Sequence, residues 1–178
     1  IVTDGRTFFS EEKRHTRSST TQVAPGVPAY RIHNTEIGGR YRIEKEVLAD
    51  PWRDVVLQRV RFVPLEDAPT DWHLYVLLAP HLGNRASGNT AWVGDARSAP
   101  MLLASRGGAA LALACSVPWL ARSVGFVGSS DGWQQLHADG RLARTYTRAE
   151  NGNVALTGEI DLSASDDGFV LALGFGPT

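Results

Sequence analysis

The histidines of this chain are the side chains best suited to bind a transition metal or to transfer a proton. There are five of them, and they are His15, His33, His73, His81 and His137. No pair has the four-residue spacing of a zinc-binding helix, and the single cysteine, Cys115, is not placed as a zinc-finger partner. The sequence therefore predicts no transition-metal site. Its loops rich in Asp and Asn could bind calcium, so calcium remains an alternative.

The sequence also contains no recognisable motif for nucleophilic or acid–base catalysis. Ser116 and Ser130 lie outside a Gly-x-Ser-x-Gly turn, and Cys115 has no catalytic signature around it. Hydrolysis of a glycosidic bond needs two convergent carboxylates, but neighbouring residues of a strand point to opposite faces. The adjacent acidic pairs at 11–12 and 166–167 are therefore interpreted as solvated charges near turns. We predict no catalytic residue in this chain.

Tryptophans are the remaining residues with a chemical use, because an indole ring presents a flat apolar face and one N–H donor to a sugar ring. The chain has five of them, and they are Trp52, Trp72, Trp92, Trp119 and Trp133. Trp119 follows Pro118 in an apolar context and is expected in the core. Trp92 and Trp133 stand beside loops rich in Gly, Asn and Ser, so they are the candidates for a ligand or docking contact.

A polar loop precedes Trp92. The apolar run 74–79 predicts a buried strand that ends at Pro80, and a second strand is expected from Trp92 onward. Polar loops between scaffold strands often form recognition surfaces, although a plain solvated connection is the alternative. The predicted contact residues are those of this loop and of the segment before a short helix: His81, Asn84, Arg85, Asn89, Trp92, Asp131 and Trp133.

Length and composition indicate one globular domain over residues 1–178, with 43% hydrophobic and 21% charged residues. The net charge of -1 argues against a nucleic-acid partner, which requires a basic surface. No apolar run is long enough for a membrane helix, so we expect no membrane partner. A single cysteine forms no internal disulfide, and the compartment stays undecided, with extracellular and periplasmic locations both open.

Short apolar runs with period-two alternation dominate, and they predict ten or more antiparallel strands in a sandwich or barrel. Gly107 and Gly108 predict a tight hairpin between strands at 101–105 and 109–115. A strand is predicted at 142–148, followed by a hairpin turn at 151–152. A short helix is predicted from residue 132, capped by Ser or Asp and ended by Gly140.

Five segments carry a resemblance to a known family. They are IVTDGRTFFSEEKRHT, GRYRIEKEVLADPWRDVVLQRVRF, LYVLLAPHLGNRASGNTAWVGD, ALALACSVPWLARSVGFVGSSDGWQQL and RAENGNVALTGEIDL. Together they resemble the N-terminal domain of bacterial glucodextranases and glucoamylases, the enzymes of glycoside hydrolase family 15. The resemblance extends over essentially the whole chain.

The resemblance implies an all-β fold, an antiparallel β-supersandwich similar to that of sugar mutarotases. In this family the domain precedes an (α/α) barrel that holds two catalytic glutamates and releases glucose from the non-reducing ends of α-glucans with inversion. The catalytic barrel would be absent from this chain, so no residue here inherits a catalytic role. The family's β-domain begins with further strands, so we expect a fragment with exposed edges that self-associates.

Three functions follow as hypotheses. The leading one is a non-catalytic domain that supports the barrel, with α-glucan or the barrel as its partner. The second is an autonomous carbohydrate-binding module that uses Trp92 or Trp133. The third is an aldose-epimerase-like enzyme, in which His81 or His137 would converge with Glu150.

Overall fold

Fourteen β-strands form most of the computed structural model, which describes residues 1–65, 71–165 and 167–178. The first seven are β1 (Val2–Thr3), β2 (Phe9–Ser10), β3 (Thr16–Gln22), β4 (Ala29–Glu36), β5 (Tyr41–Ala49), β6 (Val55–Pro64) and β7 (His73–Leu78). The others are β8 (Asn89–Ala96), β9 (Ala99–Arg106), β10 (Ala109–Cys115), β11 (Trp119–Phe126), β12 (Arg148–Gly152), β13 (Val154–Ile160) and β14 (Phe169–Pro177).

The helices are few and short. They are α1 (Glu12–His15), α2 (Gly132–Asp139) and the 3-10 helices Leu82–Asn84 and Leu162–Ala164. Within the described residues, none of the helices has the length and apolar character that crossing a bilayer requires.

The strands form two antiparallel sheets that pack as a sandwich. The five-stranded sheet has the order β11-β13-β7-β1-β2, and the nine-stranded sheet has the order β12-β8-β9-β10-β14-β6-β5-β4-β3. Every paired strand is antiparallel to its neighbour. The prediction of a mostly β, antiparallel sandwich is therefore confirmed.

The core lies between the two sheets and follows the alternation of each strand. In β9, Leu102 and Ala104 are fully buried, while Leu103 points to the opposite face and is only half-buried. In β13 of the other sheet, Leu156 and Ile160 are buried against them. Burial of one such leucine or isoleucine contributes about 1.5–3 kcal/mol, so this layer is the main source of stability.

The hairpin predicted at Gly107 and Gly108 is confirmed. The two glycines have φ angles of 55° and 87°, and β9 pairs with β10 directly across them. Both angles lie in the left-handed region that glycine adopts without steric cost, which explains why two glycines stand at this turn.

The strand predicted at 142–148 is wrong except for its last residue, which begins β12. The preceding residues cross from α2 to β12 between the edges of the two sheets. The carbonyl of Tyr146 accepts from the N–H of Val124 in one sheet, and that of Thr147 accepts from the N–H of Val93 in the other. A segment that divides its backbone hydrogen bonds between two sheets cannot form a continuous ladder with either one. Its sequence was read as a strand because its residue pattern is strand-like.

The hairpin predicted at 151–152 is also wrong, although its turn chemistry is present. Asn151 has a φ of 53°, as the Asn-Gly pattern predicts. However, β12 pairs with β8, while β13 pairs with β11 and β7. The chain therefore passes from one sheet to the other at this point, because the buried side chains of β13 belong to the facing layer.

Candidate functional site

Four of the predicted contact residues lie in the loop after β7 and at the first residue of β8. His81, Asn84 and Arg85 are exposed, whereas Asn89 is 0% exposed. The side-chain nitrogen of Asn89 donates to the carbonyls of Arg85 and Ala86 at 2.9 and 2.6 Å. Asn89 thus shapes the loop from inside and, unlike its three neighbours, presents no surface for the direct contact that the sequence predicted.

Arg106 clamps the same loop onto the nine-stranded sheet. Its Nε donates to the carbonyl of Ser87 at 3.0 Å, and its Nη1 donates to the carbonyl of Leu82 at 3.5 Å. The loop is therefore fixed at both ends of its turn, and its exposed polar side chains project from a constrained backbone. Sequence reasoning gave Arg106 no role in this loop, because its partners are about twenty residues away along the chain.

Trp92 lies on the outer face of the nine-stranded sheet. Its neighbour Ala91 is fully buried in the core, and alternation turns Trp92 to the opposite side. The guanidinium of Arg148, on the adjacent strand β12, lies 5.8 Å from the centre of the indole ring. A cation over an aromatic ring contributes about 0.5–1 kcal/mol near the surface, so Arg148 helps to hold the half-buried indole in place.

The same outer face carries a layer of large and small apolar side chains, which we call the alanine face. Its members belong to β8, β9, β10 and β14 and are Trp92, Met101, Leu103, Ala112, Ala114 and Ala172. They form two cross-strand rows, and all are half-buried. In the described part of the chain, α2 packs on β11 and β13 of the other sheet, and the 3-10 helix that contacts β9 and β10 places Leu82 in the buried core. The alanine face is therefore an uncovered apolar surface.

Asp131 caps helix α2, for which the sequence predicted a Ser or Asp cap. It is 3% exposed, and its Oδ1 accepts from the N–H of Gln134 at 3.0 Å while its Oδ2 accepts from the N–H of Gly128 at 2.6 Å. Gly140 ends the helix with a φ of 69°. Both carboxylate oxygens are bonded to the chain's own backbone, so Asp131 organises the turn from a buried position rather than at a contact surface.

Trp133 follows on α2 and belongs to the other layer of the sandwich. Gly132 brings the helix against Thr157 of the five-stranded sheet, where an added Cβ would lie 2.4 Å from the threonine Oγ1. His137 stacks on Trp133 with ring centres 4.8 Å apart. Trp133 lines a cavity bounded by residues of both sheets, among them Tyr75 and Leu171. Because Trp92 lies on the outer face of the nine-stranded sheet, the two predicted tryptophans do not form one surface.

The residues proposed for epimerase chemistry lie in separate environments. Glu150 is exposed and pairs with the guanidinium of Arg148. His81 is exposed in the loop, and His137 stacks on Trp133. Among the described residues, neither histidine forms a hydrogen bond or ion pair with Glu150, and no group of three potential metal ligands is found.

The structure instead pairs His73 with Glu159, a contact that sequence reasoning missed. The two residues lie on neighbouring strands β7 and β13, and His73 Nδ1 is 2.8 Å from Glu159 Oε1. On the other side of the ring, His73 Nε2 is 3.7 Å from Asp71 Oδ1. The pair lines a cleft of about 410 Å³ on the outer face of the five-stranded sheet. A separation of 86 residues left no local signal of this pairing.

Tyr75 lies beside this pair and is 2% exposed. Burial raises the pKa of its hydroxyl well above the ordinary value, and the nearby Glu159 carboxylate raises it further. Tyr75 therefore stays protonated at all ordinary pH values, so its hydroxyl remains able to donate a hydrogen bond.

Trp52 is a second feature that sequence reasoning left without a role. It is 90% exposed at the turn between β5 and β6, where Asp50 Oδ1 accepts from the N–H of Trp52 at 2.8 Å and from that of Arg53 at 3.0 Å. These bonds fix the backbone of the turn, so the indole projects from a defined position with no packing role in the core.

The fold and these surfaces define an antiparallel β-sandwich domain with an uncovered apolar face. The model of the family described as glucodextranase, domain N, matches residues 1–178. The chain belongs to this family, which confirms the resemblance found in the sequence.

Two relatives support this assignment. A glucoamylase of Clostridium sp. (strain G0005) is 33% identical over 176 residues, which are 99% of this chain and 25% of that protein. The crystal structure of a bacterial glucoamylase complexed with acarbose superposes with a TM-score of 0.95 at 31% identity, over 100% of this chain and 26% of that chain. The chain thus spans about a quarter of the length of the relatives that it matches.

Proposed function

We propose that this chain is a non-catalytic domain of an inverting, exo-acting α-glucan hydrolase and that it supports the (α/α) catalytic barrel. The support for this proposal is family membership, together with a match to about a quarter of a glucoamylase. In this proposal residues 1–178 form one domain of the β-supersandwich type. The barrel, and not this chain, carries the catalytic carboxylates and the α-glucan substrate.

The observation that carries the proposal is the alanine face. Ala112, Ala114 and Ala172 have no bulk beyond Cβ, so a partner helix can approach the sheet backbone closely. Trp92 and Leu103 stand at one side of this flat area and supply the large side chains that commonly dominate interface energy. Removal of apolar surface from water contributes about 25 cal/mol per Å², so covering this face favours docking.

The exposed loop side chains lie at the end of the sandwich that carries Gly107 and the other tight turns. His81, Asn84 and Arg85 form a polar rim, and rim groups of this kind usually supply specificity more than affinity. In the proposal they hydrogen-bond sugar hydroxyls or the backbone of the barrel.

A chimaera tests the docking surface. This chain replaces the matched quarter of the Clostridium glucoamylase, with Ala112→Arg as the disruptive variant and Ala138→Arg, on the exposed side of α2, as the matched control. We expect Ala112→Arg to lower the thermal unfolding midpoint of the chimaera and to leave that of the isolated chain unchanged. If Ala112→Arg and Ala138→Arg give chimaeras of equal stability, the alanine face is not the docking surface.

A further inference from the structure

We propose that a trough on the outer face of the nine-stranded sheet, which includes the alanine face, holds one α-helix that lies along β10 and β14. The proposal rests on the docking function above and specifies which element of the partner covers this face. The chain spans about a quarter of the length of its relatives, so the helix is assigned to the rest of the same polypeptide.

The floor of the trough is two strands wide. β10 and β14 are neighbours in the sheet, and because Leu111, Leu113 and Leu171 are buried in the core, the alternate residues of both strands face outward. These outward residues are Ala110, Ala112 and Ala114 of β10 and Ala172, Gly174 and Gly176 of β14. The floor therefore carries no side chain larger than a methyl group.

Large apolar side chains form a wall on each side of this floor. One wall belongs to β9 and the other to β6, and the wall residues are half-buried. Two cross-strand rows run from large to small and back to large; the first is Leu103, Ala112, Gly174 and Val55, and the second is Met101, Ala114, Ala172 and Leu57. The surface is thus concave across the strands.

The dimensions of the trough match one helix. Neighbouring strands lie about 4.8 Å apart, so β9 and β6, which are three steps apart in the sheet, are separated by about 14 Å. A helix with its side chains has a diameter of about 10–12 Å. A second sheet would rest on the two walls and leave a void above the floor, whereas a helix with large apolar side chains on one face fills it.

Paired charges limit the trough at one end. In the row beyond Leu57, Arg59 lies 2.7 Å from the Asp167 carboxylate, and Arg31 lies 2.9 Å from that of Glu46. These exposed groups already neutralise one another, so covering them would remove their hydration without supplying a new partner. We therefore expect the helix to cover the floor, about 13 Å long, in about nine residues and to end before this row.

Thiol footprinting of the glucoamylase chimaera tests the position of the helix. With Cys115 replaced by alanine, single cysteines are introduced by Ala110→Cys, Ala114→Cys and Leu48→Cys. Leu48 is 40% exposed and lies opposite Leu57, one strand beyond the wall, so it is the matched control. We expect positions 110 and 114 to react with a thiol reagent in the dilute isolated chain and to lose this reactivity in the chimaera, while position 48 reacts equally in both.

The pattern of protection separates this proposal from the docking proposal. Protection of only one of positions 110 and 114 would mean that the partner crosses the strands, and protection of position 48 as well would mean that a broad flat layer covers the sheet. Either result overturns the helix in the trough and leaves docking in place. Reactivity at all three positions in the chimaera would overturn the helix together with docking.

A substitution that fills the floor provides a second test. Ala172→Leu adds an apolar side chain where the helix would lie, so we expect it to lower the thermal unfolding midpoint of the chimaera and to leave that of the isolated chain unchanged. Ala138→Leu, on the exposed side of α2, is the matched control and should change neither. A flat apolar interface would tolerate the added leucine, so an unchanged midpoint of the Ala172→Leu chimaera would contradict the proposal.

Discussion

Trp92 stands directly opposite Leu103 on adjacent strands β8 and β9. The two side chains share the outer face of the nine-stranded sheet with Ala112 of the next strand. Large and small apolar groups thus follow one another across the sheet on the side away from the core. Apolar residues on both faces are typical of sheets covered on both sides, and this pattern is the basis of the docking proposal.

The first prediction concerns the loop between β7 and β8. Asn89→Ala removes the two hydrogen bonds to loop carbonyls and leaves these groups without their partner. We expect the free energy of unfolding to fall by about 1–3 kcal/mol, measured by urea denaturation. His81→Ala, at an exposed position of the same loop, is the control and should change it by less than about 0.5 kcal/mol. Equal effects of the two substitutions would show that Asn89 does not hold the loop.

The second prediction concerns stability at alkaline pH. Burial raises the pKa of the Tyr41 hydroxyl from 10.0 to about 12, so the folded state retains this proton where the unfolded state loses it. The contribution is complete below pH 10 and is lost as the pH rises through 12. We expect a decrease in unfolding free energy between these values that is smaller in Tyr41→Phe. Identical pH profiles of the two proteins would contradict the raised pKa.

The third prediction concerns self-association of the isolated chain. The alanine face and the exposed edge strand β3 are both available to a second copy. Light scattering at high protein concentration should show species larger than a monomer, and Ala112→Arg should reduce them. A monomer at all concentrations would contradict the prediction that either surface mediates self-association.

Local chemistry predicted much of the fold. Gly107 and Gly108 marked a real hairpin, Asp131 marked the start of α2, and Gly140 marked its end. In each case the signal needs only a few neighbouring residues, because a positive φ angle or a cap is a property of the local backbone. The overall class followed from period-two alternation in the same way.

The sequence did not predict which distant strands pair with one another. Asn151 has the turn geometry expected of it, yet burial of the following strand directs the chain into the other sheet. The separation of Trp92 from Trp133 and the contact of His73 with Glu159 depend likewise on which strands become neighbours. A single sequence carries composition and local pattern, whereas these contacts arise from packing between segments far apart along the chain.

The most direct test of the docking proposal measures whether Ala112 is covered beside a catalytic barrel. With Cys115 replaced by alanine, Ala112→Cys is treated with a thiol reagent in the isolated chain and in the glucoamylase chimaera, with Ala138→Cys as the exposed control. The proposal predicts that the cysteine at position 112 reacts readily in the isolated chain and is protected in the chimaera, while the control reacts equally in both. Equal reactivity at position 112 in both proteins would contradict docking through the alanine face.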